Sequence, residues 1–291
     1  MPHASGPFGG LYYEEVGQGH PVIFCHEFAA DHRTWADQVR ALGRHYRCVA
    51  YDSYGYAPSD VPTDPAAYGW EQQRDNIALL MDHLQIESAH LVGLSMGAYS
   101  ALQFALAYPE RATAVAFASG GSYSAPAGRT TDQGVSFTRA ERLEAEGWAS
   151  EEISVGPARV QLQAKDPRGW EQFRAYLHEH PPAGSAMTLR HFQGARPSLH
   201  GFEARLEALQ TPVLLMVGDE DDAVIELNIF LKRTLPRAGL WMAPRSGHPL
   251  NLEEPAAFNA MLLDFFAAVE RGGWGARDPR SMKAARAMRG A

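Results

Sequence analysis

The stretch AHLVGLSMGAYSALQFALAY, residues Ala89–Tyr108, decides how the rest of the chain is read. An apolar run with Leu91, Val92 and Leu94 enters Gly93-Leu94-Ser95-Met96-Gly97 and passes directly into a helical pattern. A strand that turns sharply into a helix with serine at the corner is a nucleophile elbow, G-x-S-x-G. The flanking glycines have a steric reason. A strained corner residue needs neighbours without a Cβ, which would otherwise collide with it and with the adjoining strand. The turn lifts the Ser95 hydroxyl clear of the sheet edge, and the first N–H groups of the new helix face whatever lies in front. Gly97, Ala98, Ala101 and Ala105 let that helix lie close to a sheet, and Pro109 stops it. Taken alone, the pentapeptide also fits a glycine-bounded turn whose serine merely caps the helix, so the flanking sequence has to decide.

Working outward, strands and helices alternate. Leu11–Val16 and Pro21–Cys25 read as strands about the turn Gly17-Gln18-Gly19, Trp35–Leu42 as a short helix and Tyr46–Tyr51 as a strand. The turn-rich DSYGYAPSD follows at residues 52–60, then a helix over Gln72–Leu84 with Ile77, Leu80, Met81 and Leu84 on one face. Past the elbow helix comes the apolar run Ala112–Ala118. Helical segments then succeed one another without a convincing strand: Thr138–Trp148, Pro157–Ala164, Arg168–Glu179 and Ala186–Phe192. The rhythm resumes with Pro212–Val217, a helix near Glu226–Thr234, the strand Leu240–Ala243 and the helix Pro255–Val269. Such alternation predicts an α/β fold with a mostly parallel, doubly wound sheet. Its interruption predicts a helical lid over residues 122–209 between core segments 1–121 and 210–270. Residues 1–10, MPHASGPFGG, are expected to be loose. The tail 271–291 carries Arg271, Arg277, Arg280, Lys283, Arg286 and Arg289 against Asp278 and reads as a frayed or surface-docked end.

The totals narrow the partners. A chain of 291 residues, 45% hydrophobic and 21% charged, is ample to bury a core. A formal charge of −8 argues against nucleic acid or an anionic membrane as the partner. The two cysteines, Cys25 and Cys48, lie in strand-like runs and read as buried thiols rather than a disulfide framework. No charged-then-apolar leader opens the sequence, and no apolar run approaches the roughly 18 residues of a membrane span. A cytoplasmic protein is the expectation; the oligomeric state is open, with a homodimer among the options.

A serine hydroxyl is a poor nucleophile at neutral pH unless a base takes its proton, and that base needs an acid to fix its tautomer. In an open α/β sheet such groups come from loops at the carboxyl ends of strands. After PVLLMV comes Gly218-Asp219-Glu220-Asp221-Asp222; after LWMA comes Pro244-Arg245-Ser246-Gly247-His248, with Glu253-Glu254-Pro255 downstream. Asp219, Asp221 and Asp222 are all candidates for the acid, and His248 for the base.

With these residues in order, the chain resembles the α/β-hydrolase fold superfamily, in its lid-bearing serine esterase/lyase-like branch, from about residue 11 to residue 270. The resemblance is carried by GLSMG, the G-x-x-D loop GDED, SGH with its downstream E-x-P, HEF followed by Trp35, and a D-x-x-G-x-G-like turn in DSYGYAPSD. It implies a helical lid after the sixth strand. It also implies Ser95 as nucleophile, His248 as general base and then acid, and Asp221 as orienting carboxylate.

An oxyanion hole needs two preorganised N–H donors. One is expected from Met96, after the nucleophile. The other is expected from Phe28, in the loop where the family usually has His-Gly and this chain has His26-Glu27-Phe28. An inward carboxylate there would repel a developing negative charge, so Glu27 is expected to point away, toward a cation or hydroxyl. His26-Glu27 does not begin a zinc motif, because HExxH would need histidine where Ala30 stands and His32 is off the required face. His178 and His180 face different ways on a helix. No metal and no cofactor are expected. Asp52 precedes the nucleophile in the chain and reads as a turn stabiliser.

The lid offers apolar residues such as Phe137, Trp148, Phe173, Leu189 and Phe192, with Arg159, Arg168, Arg190 and Arg196 interspersed. With Phe28, Met96, Trp148, Val224 and Leu250 as the expected pocket wall, the mixture suits a small or medium carboxylic ester or lactone. The favoured reading is a serine hydrolase working through an acyl-enzyme. A C–C bond hydrolase or cofactor-free perhydrolase would use the same triad, and a ligand receptor would use only the scaffold.

Overall fold

Every residue of the elbow strand is buried, because helices cover both of its faces and strands flank both of its edges. The computed structural model describes residues 2–124, 130–149, 156 and 159–280. Its eight strands are β1 (His3–Gly6), β2 (Gly9–Val16), β3 (Pro21–Cys25), β4 (Arg47–Tyr51), β5 (Ala89–Leu94), β6 (Ala112–Ala118), β7 (Val213–Gly218) and β8 (Ala238–Ala243). They form one sheet in the order β1-β2-β4-β3-β5-β6-β7-β8. β1 with β2 and β2 with β4 are antiparallel, and every other pair is parallel.

The period-two alternation of strand side chains divides the core. Ile23, Val49, Leu91, Val115 and Leu215 pack on one face with Phe104. Val22, Cys48, Val92, Ala114 and Leu214 pack on the other with Trp35, Phe258 and Phe265. The helices of the first half are α1 (Ala36–Leu42), α2 (Trp70–His83) and α3 (Met96–Ala107). Between β6 and β7 come α4 (Thr130–Glu146), α5 (Val160–Lys165), α6 (Pro167–Glu179), α7 (Pro182–Thr188) and α8 (Glu203–Ala208), with no strand among the described residues there. α9 (Asp222–Thr234), α10 (Leu250–Glu253) and α11 (Pro255–Glu270) complete the second half. The sheet is thus mostly parallel and doubly wound, and a helical cap follows the sixth strand.

The amino end differs from the loose segment expected for residues 1–10. β1 pairs with β2 from His3↔Tyr12 to Gly6↔Gly9. Asp60 accepts the Gly10 N–H at 2.7 Å, and Tyr54 donates to the Gly9 carbonyl at 3.1 Å. The hairpin is therefore fixed by the turn after β4 rather than by its own composition. The first part of the tail is docked: Trp274 donates to the Arg237 carbonyl at 2.9 Å, and its ring meets Phe265 at 4.6 Å. Lys283, Arg286 and Arg289 lie outside the described residues. No helix among the described residues is long and apolar enough to cross a membrane.

One feature of the topology places the site. The chain runs from β3 outward to β4 and then returns to β5 on the other side of β3. Loops leaving the carboxyl ends of β3 and β5 therefore diverge and open a crevice between them. Cys25 pairs with Gly93, so His26-Glu27-Phe28 and Ser95 emerge side by side.

Candidate active site

Ser95 sits at the corner between β5 and α3 with φ 53° and ψ −107°, a backbone conformation costly for any residue with a Cβ. Its surroundings determine it. The Ser95 N–H donates to the Ala118 carbonyl at 2.8 Å, and its own carbonyl accepts from the Tyr99 N–H at 3.1 Å. A Cβ at position 93 would strike the Gly97 backbone, and one at position 97 would strike the Cys25 carbonyl. Both glycines are thus required by close backbone approach. Ser95 is 7% exposed, enough to meet a cavity.

The acid and base loops are held together by another close approach. A Cβ on Gly218 would collide with the Ser246 and Gly247 carbonyls. The loops are cross-linked by the Glu220 N–H donating to the Ser246 carbonyl at 2.9 Å and the Ser246 N–H donating to Asp219 Oδ1 at 3.3 Å. Glu253, from the E-x-P segment, accepts the Gly247 N–H at 2.7 Å and so orients the residue before His248. Burial is the largest influence on the Glu253 carboxyl and holds it above the usual carboxylate range.

The outcome is a buried pair: His248 Nδ1 donates to Asp221 Oδ2 at 2.7 Å. Of the three candidate acids, Asp221 makes this contact, while Asp219 braces Ser246 and Asp222 opens α9. Burial alone would push the imidazole down. The Asp221 carboxylate, by charge and hydrogen bond, and then Glu27 outweigh it against the opposing Arg159 guanidinium, so the His248 pKa lies above the ordinary histidine value.

Ser95, Asp221, His248 and Phe28 line one cavity of about 360 Å³. Among the described residues the Ser95 hydroxyl makes no hydrogen bond in this conformation. Met96 opens α3, so its N–H has no acceptor within that helix. The other residues of the expected wall lie elsewhere. Trp148 packs in the cap and donates to the His180 carbonyl at 2.7 Å, and Met96, Val224 and Leu250 are buried and do not line the cavity. Their places are taken by Tyr123, Arg139, Arg159, Leu189 and Gln193. The apolar character of a residue does not tell which way it faces.

Glu27 departs from the expected orientation. It does pair with a cation, Arg159, whose Nη2 donates to Oε2 at 2.5 Å. Yet its side chain is wholly buried, lines the cavity, and holds Oε2 3.7 Å from His248 Nε2. The cap guanidinium supplies the compensating charge that an inward carboxylate requires.

Asp52 braces the loop after β3: its Oδ1 accepts from the His32 N–H at 2.6 Å, and its carboxylate faces His32 Nδ1. Ligand atoms of Asp31, His32 and Asp52 lie within 4.8 Å of one another, close enough to suggest a cation site. All three are already engaged. Asp31 accepts from Arg33 and faces His180 at 3.2 Å, and His32 is engaged by Asp52. A guanidinium bonded to one of the three carboxylate and imidazole groups makes the cluster unsuited to a metal ion.

Comparison with known proteins agrees with this architecture. A family model for the alpha/beta hydrolase fold matches residues 20–255. A Caulobacter relative named "Putative carbamate hydrolase RutD" is 30% identical over 283 residues, covering 90% of this chain and 98% of its own. A thermophilic esterase from Thermogutta terrifontis, solved with malate bound, superposes with a TM-score of 0.81 at 26% identity, covering 92% of this chain and 97% of its own. The enol-lactonase from Burkholderia xenovorans LB400 gives a TM-score of 0.82 at 23% identity, covering 91% of this chain and 100% of its own, and bears on the fold alone. With the model match spanning most of the sheet and both loops, this chain belongs to the α/β-hydrolase fold family of enzymes.

Proposed function

We propose that the protein is a serine hydrolase that cleaves a small or medium carboxylic ester or lactone through an acyl-enzyme on Ser95. The supporting observation is the convergence of a strained serine and a buried Asp221–His248 pair on one cavity. Residues 122–209 act as the cap over this site, between core segments 1–121 and 210–270. As Ser95 Oγ attacks the carbonyl carbon, its proton passes to His248 Nε2, and Asp221 stabilises the imidazolium through Nδ1. The N–H groups of Met96 and Phe28 receive the developing oxyanion. His248 then returns the proton to the leaving alkoxide. A water, deprotonated by the same nitrogen, attacks the acyl carbon and frees Ser95. The related carbamate hydrolase and esterase names fit this chemistry, because both operate on a carbonyl bonded to a heteroatom.

The reading is tested by incubating the protein with a serine-directed fluorophosphonate and mapping the adduct, alongside esters, lactones, amides and a vinylogous diketo acid as substrates. A single adduct on Ser95 and ester or lactone turnover abolished by Ser95→Ala is the expected result. Turnover of the diketo acid alone would move the assignment to C–C hydrolysis. An unlabelled Ser95 together with an inert panel would defeat the proposal.

A further inference from the structure

Among the described residues lining the cavity, Glu27 carries the carboxylate for which the triad has no use. It stands where the family resemblance leads one to expect glycine, is wholly buried, and its Oε1 has no hydrogen-bond partner among the described residues. A buried carboxylate with an unsatisfied oxygen is destabilising, so its presence there calls for a compensating role. Its other oxygen faces two groups: Arg159 Nη2, bonded from the cap, and His248 Nε2 at 3.7 Å. Nε2 is the nitrogen that gains a proton when Ser95 attacks. Asp221 already holds the opposite side of the ring at 2.7 Å. In the charged state the imidazolium therefore lies between two carboxylates, one of them neutralised by a cap residue.

We propose that Glu27 and Arg159 are positioning residues of the site: the Glu27 carboxylate favours the protonated His248 ring from its Nε2 side, and Arg159 sets how strongly. The inference rests on the serine hydrolase reading. It also goes beyond it, since it makes the proton affinity of the base depend on a residue delivered by the cap. Arg159 immediately precedes α5, and its guanidinium lies over the Phe173 ring of α6 at 5.4 Å, so its position follows that of the cap helices. Charged groups reach His248 from each neighbouring element: Asp221 ahead of α9, Glu27 after β3, Arg159 ahead of α5, and Glu253 of α10. Glu253 is held by the Gly247 N–H and lies 3.8 Å from Lys165 Nζ, so the Glu27–Arg159 pair is the one that meets Nε2.

The two residues have opposite signs, which separates this role from a structural one. The rate at which a neutral fluorophosphonate modifies Ser95 rises with pH as His248 loses its proton, and needs no knowledge of the natural substrate. Glu27→Gln, which keeps the shape, removes the favourable charge and is expected to move the midpoint down by about half to one pH unit. Arg159→Met unmasks Glu27 and is expected to move it up by about the same amount. The double variant should return near the wild-type midpoint, and Arg159→Lys should hold it. Midpoints that do not move, or that move in the same direction in both single variants, would overturn the proposal. If Glu27→Gln does not fold, Arg159→Met against Arg159→Lys decides the same question from the cap side. An unlabelled wild-type protein would overturn the hydrolase reading instead. The NMR titration of the His248 ring, assigned with His248→Gln, then tests the inference by the same signs.

Discussion

Replacing Asp221 by asparagine leaves the loop almost unchanged in shape but removes the charge bonded to His248 Nδ1 at 2.7 Å. The ground state loses little, because a neutral imidazole gains only a hydrogen bond from its partner. The transition state loses more, since the ring then carries a full positive charge in a buried site. At 2.7 Å and an effective dielectric of about 20, two unit charges attract by about 6 kcal/mol. Glu27 still faces the other nitrogen at 3.7 Å and recovers part of that attraction. A net loss of about 4–5.5 kcal/mol at the barrier corresponds to a fall of about 10³–10⁴ in kcat. Asparagine also offers its amide N–H₂ to Nδ1 and so favours the tautomer with its proton on Nε2, where Ser95 needs an acceptor. The assay is turnover of whichever ester or lactone the wild-type enzyme accepts, with fluorophosphonate labelling as a second readout, in parallel with Asp219→Asn and Asp222→Asn. Those two should stay within about tenfold, since Asp219 contributes one long bond to Ser246 and Asp222 opens a helix. An Asp221→Asn enzyme that kept more than a tenth of its rate, or an Asp219→Asn enzyme equally impaired, would refute the assignment of Asp221 as the orienting acid.

Other consequences can be measured directly. Gly97→Ala forces a methyl group onto the Cys25 carbonyl, which neither β3 nor α3 can yield without moving the elbow. A cost of about 3 kcal/mol, read as a Tm lowered by about 6–12 °C, is expected, and an unchanged Tm would contradict the close approach. Asp31 is the acid-sensitive element beside the cap. Burial, the largest influence, raises its pKa, but the His180 and Arg33 side chains overcome it and hold the carboxyl well below the usual range. A depressed carboxylate stabilises the fold above its unfolded value near pH 4 and loses that contribution as the pH falls toward the folded value. Asp31→Asn should therefore be less stable than wild type at pH 7, with the gap constant down to about pH 4 and narrowing below it; a gap that widened on acidification would reverse the sign. Arg139 lines the cavity, half-buried, with no ion-pair partner among the described residues. Arg139→Met is expected to raise KM about tenfold for esters bearing a remote carboxylate and to leave neutral esters within about twofold. Equal effects on both would deny it a part in recognition.

The elbow and the order of its partners were legible because each depends on local chemistry. A strained serine needs small neighbours, and a G-x-x-D loop needs a glycine where two loops meet, so spacing along the chain suffices. The pocket wall did not have that property. Trp148, Val224 and Leu250 are apolar residues at suitable places in the chain, but which face of a helix looks into the cavity is set by how the cap docks. That docking depends on contacts between residues far apart in sequence, such as Arg33 with Glu179 and Tyr99 with Pro197. β1 was hidden for a related reason. A Gly/Pro-rich hairpin has little strand propensity, and its order is supplied by Tyr54 and Asp60 from another loop.

Glu27 lies between these cases. Its identity is visible as a departure from the glycine expected after His26, and electrostatics leads to the expectation of a partner that is a cation or a hydroxyl. The direction of the side chain was not visible, because the partner is 132 residues away in the cap. Once Arg159 is in place, the carboxylate no longer has to leave the site to avoid repelling an oxyanion, since the pair carries no net charge. It lies instead where a single charge can favour the protonated base. Had Arg159 come from the core, the pair would be a fixed feature of the sheet. Coming from the cap, it makes the readiness of His248 to accept a proton from Ser95, on this proposal, depend on a residue outside the sheet.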